Sequence, residues 1–224
     1  MRHAFFTLLF FTMLAPFASG QPSGRKAVIA GPSYEGQEIT CDLPPAQQFR
    51  NIGSKIDGAG MCVFSSIEMA ALYQGLEEMR GYRDWWASVS RGGGWPDQAT
   101  KSLNAWFKHK KLDPLKFQYL QYEGKDPEKV FEMIDRTGRM ASCTFGWGER
   151  YGTSIAHMVN ATTYRGKYGV VLDNNFVSKK NGDGTWNESI HEWMTREELV
   201  RRAKLGGGSA WIFVWLPPPP PPPP

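Results

Sequence analysis

Residues 57–66 read Asp-Gly-Ala-Gly-Met-Cys-Val-Phe-Ser-Ser, which places a cysteine, Cys62, between a glycine-rich turn and a helical run. The first turn of a helix carries unpaired backbone N–H groups and the positive end of the helix dipole, so this position favours thiolate over thiol. The same N–H groups can hold an oxyanion. Gly58 and Gly60 permit a sharp turn beside the sulfur. The stretch therefore predicts a nucleophilic thiol, and a buried structural cysteine is the alternative.

Two segments further along the chain contain partners for such a thiol. Residues 154–160, Ser-Ile-Ala-His-Met-Val-Asn, and residues 170–176, Val-Val-Leu-Asp-Asn-Asn-Phe, both have the pattern of strands. The first contains His157, a possible general base, and the second contains Asp173 and Asn174, either of which could orient the ring. The chain thus presents cysteine, histidine and then amide or carboxylate, the order that thiol hydrolases use.

The choice of orienting residue depends on how the two strands pair. The connection 164–168, Tyr-Arg-Gly-Lys-Tyr, predicts a two-residue turn in which the second residue pairs with the fifth. Side chains alternate between the faces of a strand, so a shift of one residue exchanges the faces. The two-residue turn puts Asn174 on the face of His157 and is therefore the basis for favouring Asn174. A three-residue loop would put Asp173 there instead.

These motifs resemble those of papain-like cysteine peptidases. Residues 60–66 resemble the nucleophile helix of that family, and residues 174–176, Asn-Asn-Phe, resemble its Asn-Ser-Trp segment, in which an aromatic residue follows the orienting asparagine. The resemblance implies an α+β fold, in which a helical half that carries the nucleophile packs on an antiparallel β-sheet half with the active site at their interface. The Asp-Gly-Ala-Gly-x-Cys pattern is also similar to uncharacterised exported bacterial proteins.

The sequence departs from the family at the second oxyanion donor. Papain-like enzymes have a glutamine six residues before the cysteine, and that position is Ile56 here. An enlarged loop could return Asn51 or Gln48 to the site instead. Ile56 also supports a non-catalytic alternative, a papain-like domain that binds its partner without cleaving it.

A glycine-rich loop follows the second predicted helix. Residues 91–96 read Arg-Gly-Gly-Gly-Trp-Pro, and the absence of a lysine argues against a phosphate-binding loop. Papain-like helical halves place glycine-rich backbone where an extended substrate binds. The resemblance therefore implies that Gly60, Gly93 and Gly94 line the substrate cleft, with Trp95 as a subsite wall.

The resemblance implies a cysteine peptidase that cleaves peptide or isopeptide bonds through Cys62, His157 and either Asn174 or Asp173, without a cofactor. Acyl transfer of the transglutaminase or amidase type uses the same order of residues and stays open. His191 is the rival base, but the sequence offers it no orienting group. The expected partner is a peptide or protein substrate.

Composition and length indicate one hydrolase domain. The chain has 224 residues, of which 41% are hydrophobic and 13% aromatic, enough for a single core. Residues 1–20 have the basic start, apolar run and small residues of a secretory signal peptide, which predicts a secreted or periplasmic protein. The hydrolase domain is then 21–216, and 217–224 is a polyproline tail that could bind a partner. No other segment has the apolar length of a membrane anchor.

The cysteine count and the charge narrow the chemistry further. Export to an oxidising compartment allows a bridge between Cys41 and Cys143, with Cys62 left free, although two buried free thiols remain the alternative. Zinc-ligand spacings such as Cys-x-x-Cys are absent, so we expect no metal site. A formal net charge of +4 is too mild to indicate a nucleic-acid partner.

The residue pattern also predicts the order of helices and strands. A glycine, Gly81, should end the cysteine helix, and Thr195 with Glu198 should cap the last helix. The predicted helices are 62–80, 82–90, 97–110, 126–134 and 195–203, and the predicted strands are 139–145, 155–164, 168–174 and 209–216.

Overall fold

The computed structural model describes residues 51–91, 93–94, 96–146, 156–165, 168–174, 179–180, 186–187, 191–204 and 208–217. The predicted signal peptide lies outside the described residues. So do Cys41, Gln48 and Trp95, and all of the predicted polyproline tail except its first residue.

The described residues combine helices with short strands. The helices are α1 (Cys62–Tyr73), α2 (Tyr82–Val89), α3 (Pro96–Lys110), α4 (Glu128–Thr137) and α5 (Arg196–Ala203), with 3₁₀ turns at Glu77–Met79 and Pro114–Lys116. The strands are β1 (Tyr119–Gly124), β2 (Ala141–Gly146), β3 (Ala156–Arg165), β4 (Tyr168–Leu172), β5 (Lys179–Lys180), β6 (Trp186–Asn187), β7 (His191–Thr195) and β8 (Ala210–Trp215).

Six of these strands form one sheet in the order β1-β8-β2-β3-β4-β7, and each neighbouring pair is antiparallel. Strands β5 and β6 pair separately. The prediction of a mixed helix and antiparallel-sheet fold is confirmed. The sequence pattern missed β1 and β7, whose segments include polar residues that interrupt the apolar run expected of a buried strand.

The sheet is covered on two faces. One buried cluster joins α1, α2 and α3 to sheet residues such as Met158 and Leu172, and the other joins α4 and α5 to residues such as Val159 and Val171. Burial on both faces explains why β8 is buried along its whole length. The expectation of one helical half packed on one sheet half therefore accounts for α1–α3 but not for α4 and α5.

The cysteine helix is shorter than predicted. It ends at Tyr73, because Gly75 adopts a left-handed φ of 78° and the N–H of Leu76 closes back on the carbonyl of Ala71. Gly81 instead precedes α2 with a φ of 86°. The buried carboxylate of Glu68 accepts hydrogen bonds from the N–H groups of Gly81 and of Arg83, each at 2.7 Å, and so fixes the start of α2 against α1.

Candidate active site

A tight hairpin of residues 52–61 delivers Cys62 to the start of α1. The N–H of Met61 donates to the carbonyl of Ile52 at 2.8 Å, and Gly53 pairs with Gly60. The chain reverses at Gly58, which has a φ of 74°. This hairpin places Ile56 away from Cys62 in its turn and brings Asn51, at its entry, back toward Gly60.

The first turn of α1 is open at its N-terminus. Met61 precedes the helix without a side-chain cap, and the first turn contains no acidic residue. The helix dipole and its unpaired N–H groups therefore act on Cys62, whose side chain is half-buried. The helix start therefore offers backbone N–H groups to a substrate oxygen beside the sulfur.

A buried histidine lies between Cys62 and a carboxylate. The Nε2 atom of His157 is 2.8 Å from Oδ1 of Asp173, and the two residues are 3% and 2% exposed. Burial lowers the pKa of His157, but hydrogen bonds to Asp173 and Cys62, together with their charges, outweigh it and raise the pKa to about 9. Because Nε2 faces Asp173, Nδ1 is the ring nitrogen left for Cys62.

Asn174 does not contact His157, and the prediction that put it on the face of His157 is wrong. Its Nδ2 donates to the carbonyl of Cys62 at 3.2 Å, to Oγ of Ser66 at 2.9 Å and to the carbonyl of Met158 at 3.0 Å. Asn174 therefore lies under the first turn of α1, whereas Asp173 meets the histidine ring.

A β-bulge explains the error. Next to the turn, Arg165 pairs with Tyr168 as predicted. The register then shifts between Ala161 and Thr163, so that Thr162 is the extra residue on β3. Beyond the bulge Asn160 pairs with Leu172, one residue away from the register that a regular hairpin would continue. Because of this one extra residue, Asp173 lies on the face of the sheet where a regular hairpin would place Asn174.

The glycine-rich loop touches the start of α1. A Cβ at Gly93 would lie 3.1 Å from the carbonyl oxygen of Gly60, and a Cβ at Gly94 would lie 2.8 Å from Cβ of Val63. The backbone of this loop can approach so closely only because it has no side chains there. The structure thus brings Gly60, Gly93 and Gly94 together next to Cys62.

Asn51 also lies beside the cysteine. The hairpin returns it to Gly60, whose Cβ, if present, would be 3.1 Å from Nδ2 of Asn51. The backbone N–H of Asn51 donates to the carbonyl of Asn174 at 2.6 Å. Of the two residues predicted as the second oxyanion donor, Asn51 thus lies against Gly60, two residues before Cys62, and Gln48 is outside the described residues.

The remaining predicted residues lie elsewhere. Cys143 is a free, fully buried thiol in β2, and its predicted partner Cys41 lies outside the described residues. Burial raises the pKa of the Cys143 thiol to about 12, which makes it a poor nucleophile. The rival base His191 lies at the start of β7 and pairs with Leu172.

Sequence reasoning missed a set of buried polar residues beneath the site. Oγ of Ser66 donates to the carbonyl of Met158 at 3.1 Å, and Nδ2 of Asn160 donates to the carbonyl of Ser66 at 2.9 Å and to Oγ of Ser142 at 3.3 Å. A serine that interrupts the apolar face of α1, four residues after Cys62, is the one signal of this network in the sequence.

Two features are absent from the described part of the chain. None of its helices is both long and apolar enough to cross a bilayer. Within the same residues, no group of three or more His, Cys, Asp or Glu side chains is arranged to hold a metal ion.

The chain has little similarity to known proteins. The chain matches no family model and no curated protein. A solved structure to which it is similar is the crystal structure of a double-glycine-motif protease from an AMS/PCAT transporter, in complex with the leader peptide. The two are 19% identical, the match covers 70% of this chain and 85% of that chain, and the TM-score is 0.37. At this level of similarity the match defines neither the fold family nor the activity of this chain.

Proposed function

We propose that the chain is a papain-like cysteine peptidase, in which Cys62 is the nucleophile, His157 the general acid and base, and Asp173 the group that orients the histidine. The observation that supports this proposal is the buried contact of the His157 ring with Asp173 on one side and Cys62 on the other. A half-buried thiol at an uncapped helix start, hydrogen-bonded to a sheltered histidine, has the properties of an activated nucleophile.

The proposed reaction has two steps. The Cys62 thiolate attacks the carbonyl carbon of a peptide bond, and the oxyanion is held by the N–H of Cys62 and by the amide of Asn51. His157 gives the proton from its Nδ1 atom to the leaving amine, which completes the acyl-enzyme. The same nitrogen then takes a proton from water, whose oxygen attacks the acyl carbon and releases the carboxylic acid and the thiolate.

Asp173 fixes the ring for both steps. As a carboxylate it accepts a hydrogen bond from the Nε2–H of His157, which leaves Nδ1 directed toward the sulfur and stabilises the imidazolium. The raised pKa of His157, about 9, supports a resting state in which the ring is an imidazolium through the neutral pH range.

Covalent labelling tests the activated pair. A vinyl-sulfone or epoxide inhibitor should label Cys62 in the protein of residues 21–224, and peptide mapping by mass spectrometry should locate the label. His157→Ala should slow labelling on the order of a thousandfold, because the thiolate loses its counter-ion and proton donor. His191→Ala is the control and should label like the unaltered protein. Labelling that is independent of His157 would favour the non-catalytic binding domain instead.

The proposed role of Asn51 has a separate test. Asn51→Ala should lower peptide turnover by about tenfold to a hundredfold, since one oxyanion donor is lost. Alkylation of Cys62 by iodoacetamide forms no oxyanion, so its rate should not change. An equal loss in both rates would mean that Asn51 acts by holding the hairpin of residues 52–61 in place.

The proposed peptidase is exported, on the basis of the signal-like residues 1–20, and its hydrolase domain is 21–216. Expression of the full chain followed by N-terminal sequencing of the protein outside the cytoplasm tests both points. The expected mature N-terminus is Gln21. Retention of Met1 in a cytoplasmic protein would contradict export without affecting the assignment of Cys62.

A further inference from the structure

The buried side chain of Asn174 connects the segments that carry the candidate site. It is 1% exposed, and its Nδ2 atom contacts the carbonyl of Cys62, Oγ of Ser66 and the carbonyl of Met158. Its own backbone carbonyl accepts the N–H of Asn51. One residue thus reaches the start of α1, strand β3 and the segment that enters the hairpin.

Three of these four contacts are at a residue of the site or next to one, and the fourth is to Ser66, four residues after Cys62. The Cys62 carbonyl belongs to the nucleophile itself, Met158 follows His157, and Asp173 precedes Asn174 in the chain. Asn174 therefore joins the backbone of the residue that carries the thiol to the backbone next to His157. The separation of the Cys62 sulfur from the His157 ring matters most at this junction, because proton transfer and charge pairing both depend on it.

We propose that Asn174 is a positioning residue, whose amide holds the first turn of α1 against β3 and so sets the distance between Cys62 and His157. This role rests on the proposed function, in which Cys62 and His157 act as a catalytic pair. Asn174 does not touch the reacting atoms and acts through the backbone carbonyls of Cys62 and Met158.

The chemistry of the contacts requires an amide. The three partners of Nδ2 all act as acceptors, since Ser66 already gives its hydroxyl proton to the Met158 carbonyl. An ionised aspartate at position 174 would have no proton to donate to them. The Oδ1 atom of Asn174 is buried without a hydrogen-bond partner among the described residues. The hydrogen bonds that Nδ2 donates are therefore what this side chain contributes, and two of them reach the backbone of Cys62 and of Met158.

Asn160 provides a matched control. It is also fully buried, also joins α1 to β3 through Nδ2, and also has an Oδ1 atom without a partner among the described residues. Its contacts are the Ser66 carbonyl and the Ser142 hydroxyl, deeper in the fold, and neither adjoins Cys62 or His157. Asn160→Ala should therefore cost stability without changing the pair.

The experiment measures the coupling of Cys62 and His157 directly. The alkylation rate of Cys62 by iodoacetamide is followed against pH, and the His157 ring is titrated by NMR on histidine-labelled protein. Asn174→Ala should slow alkylation at neutral pH by about tenfold to a hundredfold, because the pair is misplaced. It should also lower the pKa of His157 from about 9 toward the ordinary value of 6.5. Asn160→Ala should change neither quantity, even where urea unfolding shows a similar loss of stability.

A milder variant keeps the test open if Asn174→Ala fails to fold. Ser66→Ala removes one acceptor of the Asn174 amide and one donor to the Met158 carbonyl. The Asn174 amide keeps its contacts with the carbonyls of Cys62 and Met158. Ser66→Ala should shift both readouts in the same direction and by less.

The outcomes separate this role from the proposed function. If His157→Ala leaves the alkylation profile unchanged, the pair is not coupled, and both the peptidase assignment and the role of Asn174 are overturned. If His157→Ala changes the profile but Asn174→Ala, or Ser66→Ala in its place, behaves like Asn160→Ala, the peptidase assignment stands and the positioning role is overturned.

Discussion

The two halves of the β3–β4 hairpin differ in what determines their pairing. In the turn half, from Thr163 to Val170, the pairs follow the register of a two-residue connection. In the site half, Ala161 pairs with Val171 and Asn160 pairs with Leu172, one residue out of that register. The two halves are continuous strands of one sheet, and only the bulge at Thr162 separates them.

This difference shows how far a turn can specify a site. A turn fixes the pairs next to it, but each bulge resets the register for everything beyond. In this chain the reset brings Asp173, rather than Asn174, to the ring of His157. The next residue is then free to bind the start of α1. A single extra residue in β3 thus separates the two contacts on which the proposed orienting role of Asp173 and the proposed positioning role of Asn174 depend.

The largest expected effect comes from breaking the contact that the site half creates. Asp173→Ala removes the carboxylate that lies 2.8 Å from Nε2 of His157, so the ring loses its preferred tautomer and orientation. Peptide turnover should fall on the order of a thousandfold. Steady-state kinetics on a cleaved peptide measures this loss.

The control for that variant is Asp135, a carboxylate of α4 that contacts the turn half. Asp135 accepts a hydrogen bond from the N–H of Tyr164 at 3.5 Å, on the far side of the bulge. Asp135→Ala should leave turnover almost unchanged. Comparable losses in the two variants would mean that Asp173 acts through the stability of the hairpin and not through the histidine ring.

The sequence predicts the turn half of the hairpin but not the site half, and the rest of the candidate site follows the same division. Cys62 at a helix start follows from the glycine-rich turn before it, because such turns and uncapped helix ends have local causes. The pairing of Arg165 with Tyr168 also has a local cause, the glycine in the connection. These parts of the site are determined by residues that are neighbours in the chain.

The bulge and the contacts of Asn174 depend instead on segments that are distant in the sequence. No residue near Thr162 signals a bulge, because an extra residue is accommodated by the packing of the whole sheet. The contacts of Asn174 join segments that are more than a hundred residues apart in the case of Cys62 and Ser66. The helix end at Gly75 was missed for a simpler reason, since Gly81 is an equally good stop signal in the sequence.

A second prediction uses pH to compare the halves. The pKa of His157 is raised in the folded protein from 6.5 to about 9, so its contribution to stability is complete below pH 6.5 and is lost as the pH rises through about 9. The free energy of unfolding should fall over this range by on the order of 3 kcal/mol. Urea denaturation at a series of pH values measures it.

The turn half should not contribute in that window. Burial raises the pKa of the Tyr164 hydroxyl to about 12, so this residue begins to matter only at higher pH. His157→Gln should flatten the dependence between pH 6.5 and 9. A slope that persists in this variant would assign the pH dependence to groups other than the histidine.

The smallest expected effect concerns the bulge itself. The Thr162 hydroxyl donates to the carbonyl of Val170 at 3.4 Å, and this contact lies between the two halves. Thr162→Val keeps the shape of the side chain but removes the donor, which should cost about 1 kcal/mol of stability. Turnover should change little, because the backbone pairs on each side of the bulge do not involve the hydroxyl. Thr137→Val, which removes a similar bond to the Met133 carbonyl in α4, is the matched control. If Thr162→Val lost turnover as severely as Asp173→Ala, while Thr137→Val did not, the hydroxyl would be what holds the site half in its shifted register.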